Sequence, residues 1–322
     1  MKKLIFSILF LSALYWNAPL VAQSDSNWVE TKTTLDTKTG EIYGTLCVPK
    51  GFKKGPVALL VAGSGPTDRD CNSSLGLKSD AFKILAHKLA DNGIATVRYD
   101  KRGVGESHAA MKSGEADLRF DDYINDAADW INKLKADKQF SKVIVIGNSE
   151  GSLIGMIAAK RANADEYVSI AGVGEGIDKT LKRQLQDMPQ QGRDTAYKIL
   201  DSLKVGKTVS HIDPTLYSLF RPSVQPYMIS WIKYDPAVEI SKLTIPVLIL
   251  QGTNDIQVTV DDAKKLSAGD KNAKLVLLEN MNHIFRVVEG TDRKANIATY
   301  NMPELPIDPK LVTAITGFIN KN

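Results

Sequence analysis

The chain has 322 residues, of which 43% are hydrophobic and 24% are charged, and its formal net charge is +4. This composition supports a sizeable apolar core and suits one large α/β domain better than two average ones. Lys and Arg are interleaved with Asp and Glu along the chain, so the concentrated basic patch that a nucleic-acid partner requires is missing.

The first residues have the order of a secretory signal peptide. A short basic start precedes an uncharged, mostly apolar run at 4–16, and small residues follow up to Ala22. The apolar run is shorter than the roughly 20 residues that span a bilayer. We predict a signal peptide at 1–23, cleaved near Ala22 or Gln23, and a periplasmic or secreted mature protein without stable membrane insertion. A buried N-terminal helix and an uncleaved anchor are the alternatives.

The predicted elements of the first half alternate between strands and helices. Strands at 28–35 and 42–48 flank a turn at Thr39 and Gly40, which indicates a hairpin. The later strands are continuous apolar runs, as expected of strands buried on both faces, and the helices show apolar residues at helical spacing. These elements are strands at 57–62, 94–99 and 143–146, and helices at 82–89, 120–134 and 152–161.

The alternation breaks after a strand at 168–171. The segment at about 172–242 is polar, helix-like and interrupted by prolines, and we predict that it is a cap inserted into a domain spanning 24–322. Alternation then resumes with strands at 247–250 and 275–278, a helix after Thr259 and a last helix at 309–319. Such alternation predicts an α/β fold with a mainly parallel sheet, helices on both faces and an antiparallel edge at the opening hairpin.

Gly147, Ser149 and Gly151 form a Gly-x-Ser-x-Gly pattern directly after a predicted strand. The pattern is typical of a strained strand-to-helix turn that holds a nucleophilic serine at the carboxyl edge of a sheet, where the glycines relieve crowding. A turn without chemistry and a phosphate-binding turn are the alternatives. A dinucleotide-binding turn would have another glycine spacing and an acidic residue about 20 positions later. We therefore predict that Ser149 is the nucleophile.

A serine hydroxyl needs a base that takes its proton, and the chain contains His87, His108, His211 and His283. In folds with this turn, the order along the chain is serine, acid, histidine. Only His211 and His283 follow the serine, and only His283 comes directly after a late strand. The sequence therefore predicts that His283 is the general base.

The acid that orients the histidine should lie between the serine and the histidine, at the end of a strand. Asp255 follows the apolar strand at 247–250 after a short turn, and we predict that it accepts the N–H of His283. Asp235 and Glu279 are rival candidates, and a role for Asp255 in capping a helix is the alternative.

Two backbone N–H groups should bind the oxyanion that develops during acyl transfer. One is expected from Glu150, the residue after the nucleophile, and the other from the loop that follows the strand at 57–62. Within the Gly63-Ser64-Gly65 stretch of that loop, Ser64 is our first choice. A glycine and proline turn without function is the alternative.

Cys47 and Cys71 are the two cysteines of the chain. In an oxidising compartment they either form a disulfide or remain two small hydrophobic residues, and the sequence leaves both open. Neither sits on a short strand-to-helix turn, so we do not expect a cysteine nucleophile.

Taken together, these motifs resemble the α/β-hydrolase superfamily, and within it the bacterial esterases with a His-Gly-Ser-Gly-Pro loop. The matching segments are GSGPTDRD at 63–70, RYDKRGVGES at 98–107, GNSEG at 147–151, QGTND at 251–255 and NH at 282–283. The chain departs from this pattern at two positions. It has Ala62 where the family usually has His, and Asn148 where the family often has His. The resemblance implies hydrolysis of small-molecule carboxylic esters with short acyl groups, acetyl among them, without a metal or an organic cofactor.

A peptidase or a thioesterase of the same fold and a non-catalytic binding protein are the alternative functions. An exported enzyme would rarely meet coenzyme A thioesters, and binding proteins on this fold usually lose a triad residue, whereas all three are present here. Arg69 and Arg102 are candidates for binding a charged substrate group, although structural salt bridges are the favoured role for both. The sequence leaves the oligomeric state open.

Overall fold

The computed structural model describes residues 26–111 and 114–321, and an eight-stranded sheet forms its centre. A separate two-stranded hairpin, β4 and β5, lies between the third and fourth strands of that sheet along the chain. The strands among the described residues are β1 (Trp28–Thr37), β2 (Gly40–Pro49), β3 (Gly55–Val61), β4 (Asn72–Ser73), β5 (Leu77–Lys78), β6 (Ala95–Tyr99), β7 (Phe140–Asn148), β8 (Glu166–Ile170), β9 (Val247–Gly252) and β10 (Lys274–Leu278).

Helices connect most of the strands, and several begin at a side chain that caps their first N–H groups. Thr259 and Asp262 form a reciprocal capping box at α9, and Asp308 caps α11 ahead of a proline. The helices are α1 (Ala81–Asp91), α2 (Phe120–Ala136), α3 (Glu150–Arg161), α4 (Ile177–Gln184), α5 (Gln190–Lys204), α6 (Tyr217–Phe220), α7 (Gln225–Ile232), α8 (Pro236–Ile240), α9 (Val260–Gly269), α10 (Arg293–Ala298) and α11 (Pro309–Ile319).

The strand order in the large sheet is β1-β2-β6-β3-β7-β8-β9-β10. β1 pairs with β2 and β2 with β6 in antiparallel register, whereas all pairs from β6 to β10 are parallel. The parallel pairs are joined by helices because parallel strands need a crossover connection. The predicted fold class, including the antiparallel edge, is confirmed.

Alternate residues of the central strands enter two separate apolar cores. In β3, Val57, Leu59 and Val61 face the core that α2 and α3 cover, while Ala58 and Leu60 face the core that α1 and α11 cover. Burial of each large aliphatic side chain stabilises the fold by roughly 1.5–3 kcal/mol. Because helices cover both faces of the sheet, a ligand site is expected where the carboxyl ends of the parallel strands are open.

Helices α4 to α8 lie between β8 and β9, in the segment where the sequence predicts the cap insertion at about 172–242. Aromatic side chains attach α7 to α2. The rings of Phe120 and Trp231 stack with their centroids 5.4 Å apart, and Tyr227 lies 5.9 Å from Phe120. These contacts hold α7 above the carboxyl-end edge.

A polar cluster ties β1 to α1 and β6. The ring of His87 stacks on Trp28 at 3.6 Å, and its Nε2 bonds the carboxylate of Glu30 at 2.7 Å. The guanidinium of Arg98 lies 2.9 Å from the same carboxylate. Burial alone would raise the pKa of Glu30, but the hydrogen bonds from His87 and Arg98 lower this pKa to about 2.

The predicted signal peptide at 1–23 lies outside the described residues. Within the described part of the chain, no helix has the length and apolar character needed to cross a bilayer. Cys47 and Cys71 are both buried free thiols, so of the two alternatives the structure shows the unpaired one.

Candidate active site

The predicted site residues lie at the carboxyl-end edge of the parallel strands. Ser149 directly follows β7, Ser64 lies shortly after β3, Asp255 after β9 and His283 after β10. Residues far apart along the chain therefore meet because neighbouring parallel strands end at the same edge of the sheet.

Ser149 occupies a strained backbone conformation, with φ of 56° and ψ of −123°. A residue with a side chain rarely adopts a positive φ, and here the N–H of Ser149 is held by the carbonyl of Ile170 at 3.0 Å. A Cβ on Gly147 would lie 2.2 Å from the carbonyl oxygen of Gly151, and one on Gly151 would lie 2.2 Å from that of Val61. Both glycines are thus required by close backbone packing around the serine.

His283 and Asp255 form a buried hydrogen-bonded pair. Nδ1 of His283 lies 2.7 Å from Oδ2 of Asp255, and the two side chains are 9% and 1% exposed. The other carboxylate oxygen accepts the N–H groups of Gln257 at 2.8 Å and Val258 at 3.0 Å, which fixes the orientation of the acid. A proton on Nδ1 that donates to Asp255 leaves Nε2 of the imidazole as an acceptor for a hydroxyl proton.

The rival residues are placed elsewhere. Asp235 caps α8 through a backbone N–H, and Glu279 is exposed. His87 pairs with a carboxylate of β1, and His108 and His211 are exposed side chains outside the cavity that contains Ser149.

Ser149 and His283 line one cavity, which has a volume of about 90 Å³. Gly63 and Ser64 form another part of its wall, and a Cβ on Gly63 would lie 3.2 Å from the Cβ of Ser149. The loop after β3 therefore lies directly against the serine, and glycine at position 63 permits that approach.

Two N–H groups close to Ser149 along the chain or across the cavity wall are available to an anion: that of Ser64, which lines the small cavity, and that of Glu150, the residue after Ser149. In the described ranges, the N–H of Ser64 donates to no other group of the chain. Glu150 is the first residue of α3, where an N–H has no partner within the helix and the helix dipole favours negative charge. The arrangement is suited to binding an oxyanion beside Ser149.

Lys101 is a site residue that the sequence analysis missed as a functional group. It follows β6 and is 1% exposed, and its Nζ donates to the carbonyl of Gly63 at 2.5 Å. Burial lowers the pKa of Lys101, against the opposing influence of the Glu150 carboxylate and of Cys71. Its position in the loop RYDKRGVGES is the signal by which it could have been found.

Tyr227 of α7 was not predicted from the sequence either, because it lies in no recognisable motif. Its hydroxyl donates to the buried carboxylate of Glu150, so a cap helix contacts the residue next to Ser149. Burial raises the pKa of Tyr227 well above its usual value, which keeps the hydroxyl protonated as a donor.

Tyr300, Gln257 and Cys71 also line the small cavity. The amide of Gln257 donates to the hydroxyl of Tyr300 at 3.0 Å, and burial raises the pKa of Tyr300 to about 12. Burial also raises the pKa of the Cys71 thiol to about 12, so it stays protonated and is a poor nucleophile.

A second, larger cavity of about 470 Å³ lies between the loop after β3 and the cap helices. Its wall is mainly apolar, with Pro66, Val104 and Val224 among its residues, and the side chains of Glu150 and Lys101 contribute to it. The loop after β3 and the turn at Ser149 and Glu150 therefore form part of the wall of both the small and the large cavity.

Arg69 and Arg102 are engaged in salt bridges. Arg69 contacts Asp100 at 2.6 Å and Glu106 at 2.7 Å, and Arg102 contacts the buried Asp126 at 2.5 Å. The favoured structural role is thus confirmed for both arginines.

One group of side chains has the composition of a metal site. Donor atoms of Glu30, Cys47 and His87 lie within 4.8 Å of one another. The guanidinium of Arg98 already contacts the carboxylate of Glu30, and burial raises the pKa of the Cys47 thiol to about 12. These donors fit an ion-pair cluster better than a cation site.

A parallel sheet with a serine on a strained strand-to-helix turn and a histidine–aspartate pair at the same edge defines a serine hydrolase of the α/β-hydrolase fold. The profile of the family described as "Serine aminopeptidase, S33" matches residues 75–238. Esterase EstD of Thermotoga maritima is 31% identical over 294 residues, which make up 89% of this chain and 67% of that protein. The chain belongs to this serine aminopeptidase S33 family of α/β-hydrolases, and the predicted class of serine esterase is confirmed.

Solved structures show the same fold. Est1E of Butyrivibrio proteoclasticus is 18% identical, with 88% of this chain and 98% of that chain covered and a TM-score of 0.55. The Pyrococcus furiosus esterase Pf2001 is 15% identical, with 92% and 94% covered and a TM-score of 0.56. At such identities the likeness concerns the fold alone.

Proposed function

We propose that the protein hydrolyses small-molecule carboxylic esters with short acyl groups through an acyl-enzyme on Ser149. The observation that carries this proposal is the 2.7 Å bond between His283 and Asp255 at the cavity that also contains Ser149. The esterase names of the relatives support the same reaction.

In the proposed reaction, Ser149 attacks the ester carbonyl while Nε2 of His283 takes the hydroxyl proton. Asp255 holds the histidine in the required tautomer and stabilises the imidazolium. The N–H groups of Ser64 and Glu150 bind the oxyanion, and His283 then protonates the leaving alcohol. Water activated by the same histidine releases the acid and regenerates the serine.

The size of the cavity at Ser149 supports a short acyl group. Its volume of about 90 Å³ is far below the roughly 300–1,000 Å³ of pockets that enclose drug-sized ligands. An acetyl group, with two carbon atoms, is among the smallest acyl groups. A long acyl chain would have to enter the larger cavity beside the cap, which makes chain length the variable to test.

The test is hydrolysis of p-nitrophenyl esters graded from acetate to palmitate by the mature protein and by two variants. Ser149→Ala should abolish turnover, because it removes the nucleophile. Ser64→Ala is the matched control, since it removes a hydroxyl at the same cavity but keeps the backbone N–H. We expect activity that falls with chain length and survives in Ser64→Ala. Equal rates up to palmitate would contradict the short-chain specificity, and turnover by Ser149→Ala would contradict the nucleophile.

Peptide hydrolysis is the second candidate function, because the matching family profile is described as a serine aminopeptidase. The same serine, histidine and oxyanion donors serve an amide as well as an ester. Aminoacyl p-nitroanilides, assayed beside the esters, separate the two. Faster turnover of the anilides would assign the protein to the peptidases.

We also propose that the protein is exported, on the basis of the signal-peptide pattern at 1–23. The mass of the mature protein, isolated after expression in a Gram-negative host, tests this. A protein that starts near Ser24 in the periplasm or medium supports export, and an intact N-terminus in the cytoplasm contradicts it.

A further inference from the structure

Lys101 places an ammonium group in the interior beside the catalytic edge. The side chain is 1% exposed, its Nζ donates to the carbonyl of Gly63 at 2.5 Å, and it lies 5.0 Å from the centre of the Tyr123 ring. Removing an ammonium from water is costly unless good partners compensate. An apolar residue would fill the same space at lower cost, so a function of the charge has to account for the lysine.

The carbonyl that Lys101 binds belongs to the peptide between Gly63 and Ser64, and both of these residues line the cavity that contains Ser149. The carbonyl of Gly63 and the N–H of Ser64 belong to the same planar unit, and the described residues contain no cis peptide bond. In a trans peptide these two groups point in opposite directions. A bond that holds the carbonyl on one side therefore directs the N–H of Ser64 to the other side.

The second oxyanion donor is connected to the same lysine. The carboxylate of Glu150 attracts the ammonium of Lys101, and Tyr227 holds that carboxylate from α7. Glu150 also supplies the N–H at the start of α3. Lys101 thus acts on the peptide of the first N–H group through a hydrogen bond, whereas its link to Glu150 is an attraction between the two side chains.

We propose that Lys101 is a positioning residue that fixes the peptide between Gly63 and Ser64 so that its N–H faces the oxyanion, an inference that rests on the function proposed above. The hydrogen bond from the ammonium also polarises that peptide and strengthens its N–H as a donor. Because the oxyanion exists only in the transition state and the intermediates, Lys101 affects kcat more than KM.

The first test measures kcat and KM for p-nitrophenyl acetate in Lys101→Met and Lys101→Gln. Met and Gln both end one bond short of the lysine Nζ. Met has no donor and Gln has an uncharged one, so neither variant holds the carbonyl of Gly63 as Lys101 does. We expect kcat to fall about 10²–10³-fold, the loss typical of one oxyanion donor, with KM within about threefold. The glutamine variant keeps the test decisive if the methionine variant does not fold.

Lys133→Met is the matched control. Lys133 also donates to a backbone carbonyl, that of Thr34, and lies over an aromatic ring, that of Trp130 at 5.5 Å, but on the outside of α2. The kcat of the Lys133→Met variant should stay within about twofold of the wild-type value, because Lys133 contacts neither Ser64 nor Glu150. A loss of kcat in the control equal to that in the Lys101 variants would overturn the assignment.

The second test measures binding of an alkyl boronic acid, which forms a tetrahedral adduct with the serine. We expect its affinity to weaken in the folded Lys101 variants by the same factor as kcat/KM. Unchanged kcat and boronate affinity, or a loss explained by a raised KM alone, would overturn the proposal. Boronate binding to the wild type and variants is measurable even if no ester is hydrolysed, so failure of the proposed function and failure of this inference are distinguishable.

Discussion

Replacing Asp255 with Asn tests the proposed orientation of the histidine. The oxygen Oδ1 of Asp255 accepts two backbone N–H groups, so in Asp255→Asn the amide oxygen should remain there and the NH₂ group should face His283. The NH₂ group then donates to Nδ1, and the imidazole proton moves to Nε2. An imidazole protonated on Nε2 has no lone pair for the hydroxyl proton of Ser149.

The expected loss has two parts. The first is the attraction between the carboxylate and the imidazolium, whose atoms lie 2.7 Å apart. With roughly 4 Å between charge centres and an effective dielectric constant of about 20, this attraction amounts to about 4 kcal/mol. That energy corresponds to about a thousandfold in rate. The wrong tautomer adds to it, and we expect kcat to fall about 10⁴-fold.

The assay compares kcat and KM of Asp255→Asn and Asp235→Asn for p-nitrophenyl acetate, with the thermal midpoint as a check of folding. Asp235, the rival acid, caps α8. Because Asn caps a helix about as well as Asp does, the Asp235→Asn variant should keep both its stability and its kcat. If folded Asp255→Asn retains more than about a tenth of the wild-type kcat, the assigned orientation of His283 is refuted.

Three further substitutions test packing and electrostatics around the site and at the sheet edge. Gly63→Ala places a Cβ 3.2 Å from the Cβ of Ser149. Because this displaces the serine or the loop after β3, kcat should fall about tenfold to a hundredfold. An unchanged kcat would contradict the close approach of the two residues. Tyr227→Phe removes the donor to the buried carboxylate of Glu150, and denaturant unfolding should show a loss of about 1–3 kcal/mol, whereas unchanged stability would argue against the bond. The pKa of Glu30 is lowered from 4.5 to about 2, so the stabilisation from its carboxylate is fully present above pH 4.5 and is lost as the pH falls towards 2. The thermal midpoints of the wild type and Glu30→Gln should therefore converge over this pH range. A constant difference between the two midpoints would contradict the assignment.

Local patterns predicted the elements and the order of the site residues along the chain. The strand predicted at 57–62 is observed at Gly55–Val61, and the last helix is observed at Pro309–Ile319 as predicted. Such segments are identifiable because a buried strand needs a continuous apolar run and a helix needs apolar residues at its own period. The positions of Ser149, Asp255 and His283 followed from the same reasoning, since each comes after a predicted strand.

The short hairpin of β4 and β5 and the helix α10 were not predicted from the sequence. The strands have two residues each, at Asn72–Ser73 and Leu77–Lys78, and α10 spans Arg293–Ala298. Segments this short contain too few residues to show a period, and their conformation is decided by contacts with the rest of the chain. One such contact joins the N–H of Lys78 to the side chain of Asn301 at 2.8 Å.

The tertiary structure alone decided which side chains meet. The sequence determined the α/β class and a nucleophile pattern, because these depend on residues close together along the chain. It left Asp235 and Glu279 as rivals of Asp255, and it missed the bonds from Lys101 to Gly63 and from Tyr227 to Glu150. These pairs join separate elements, and their contact depends on strand order and helix packing, which the periodicity of a single segment does not encode.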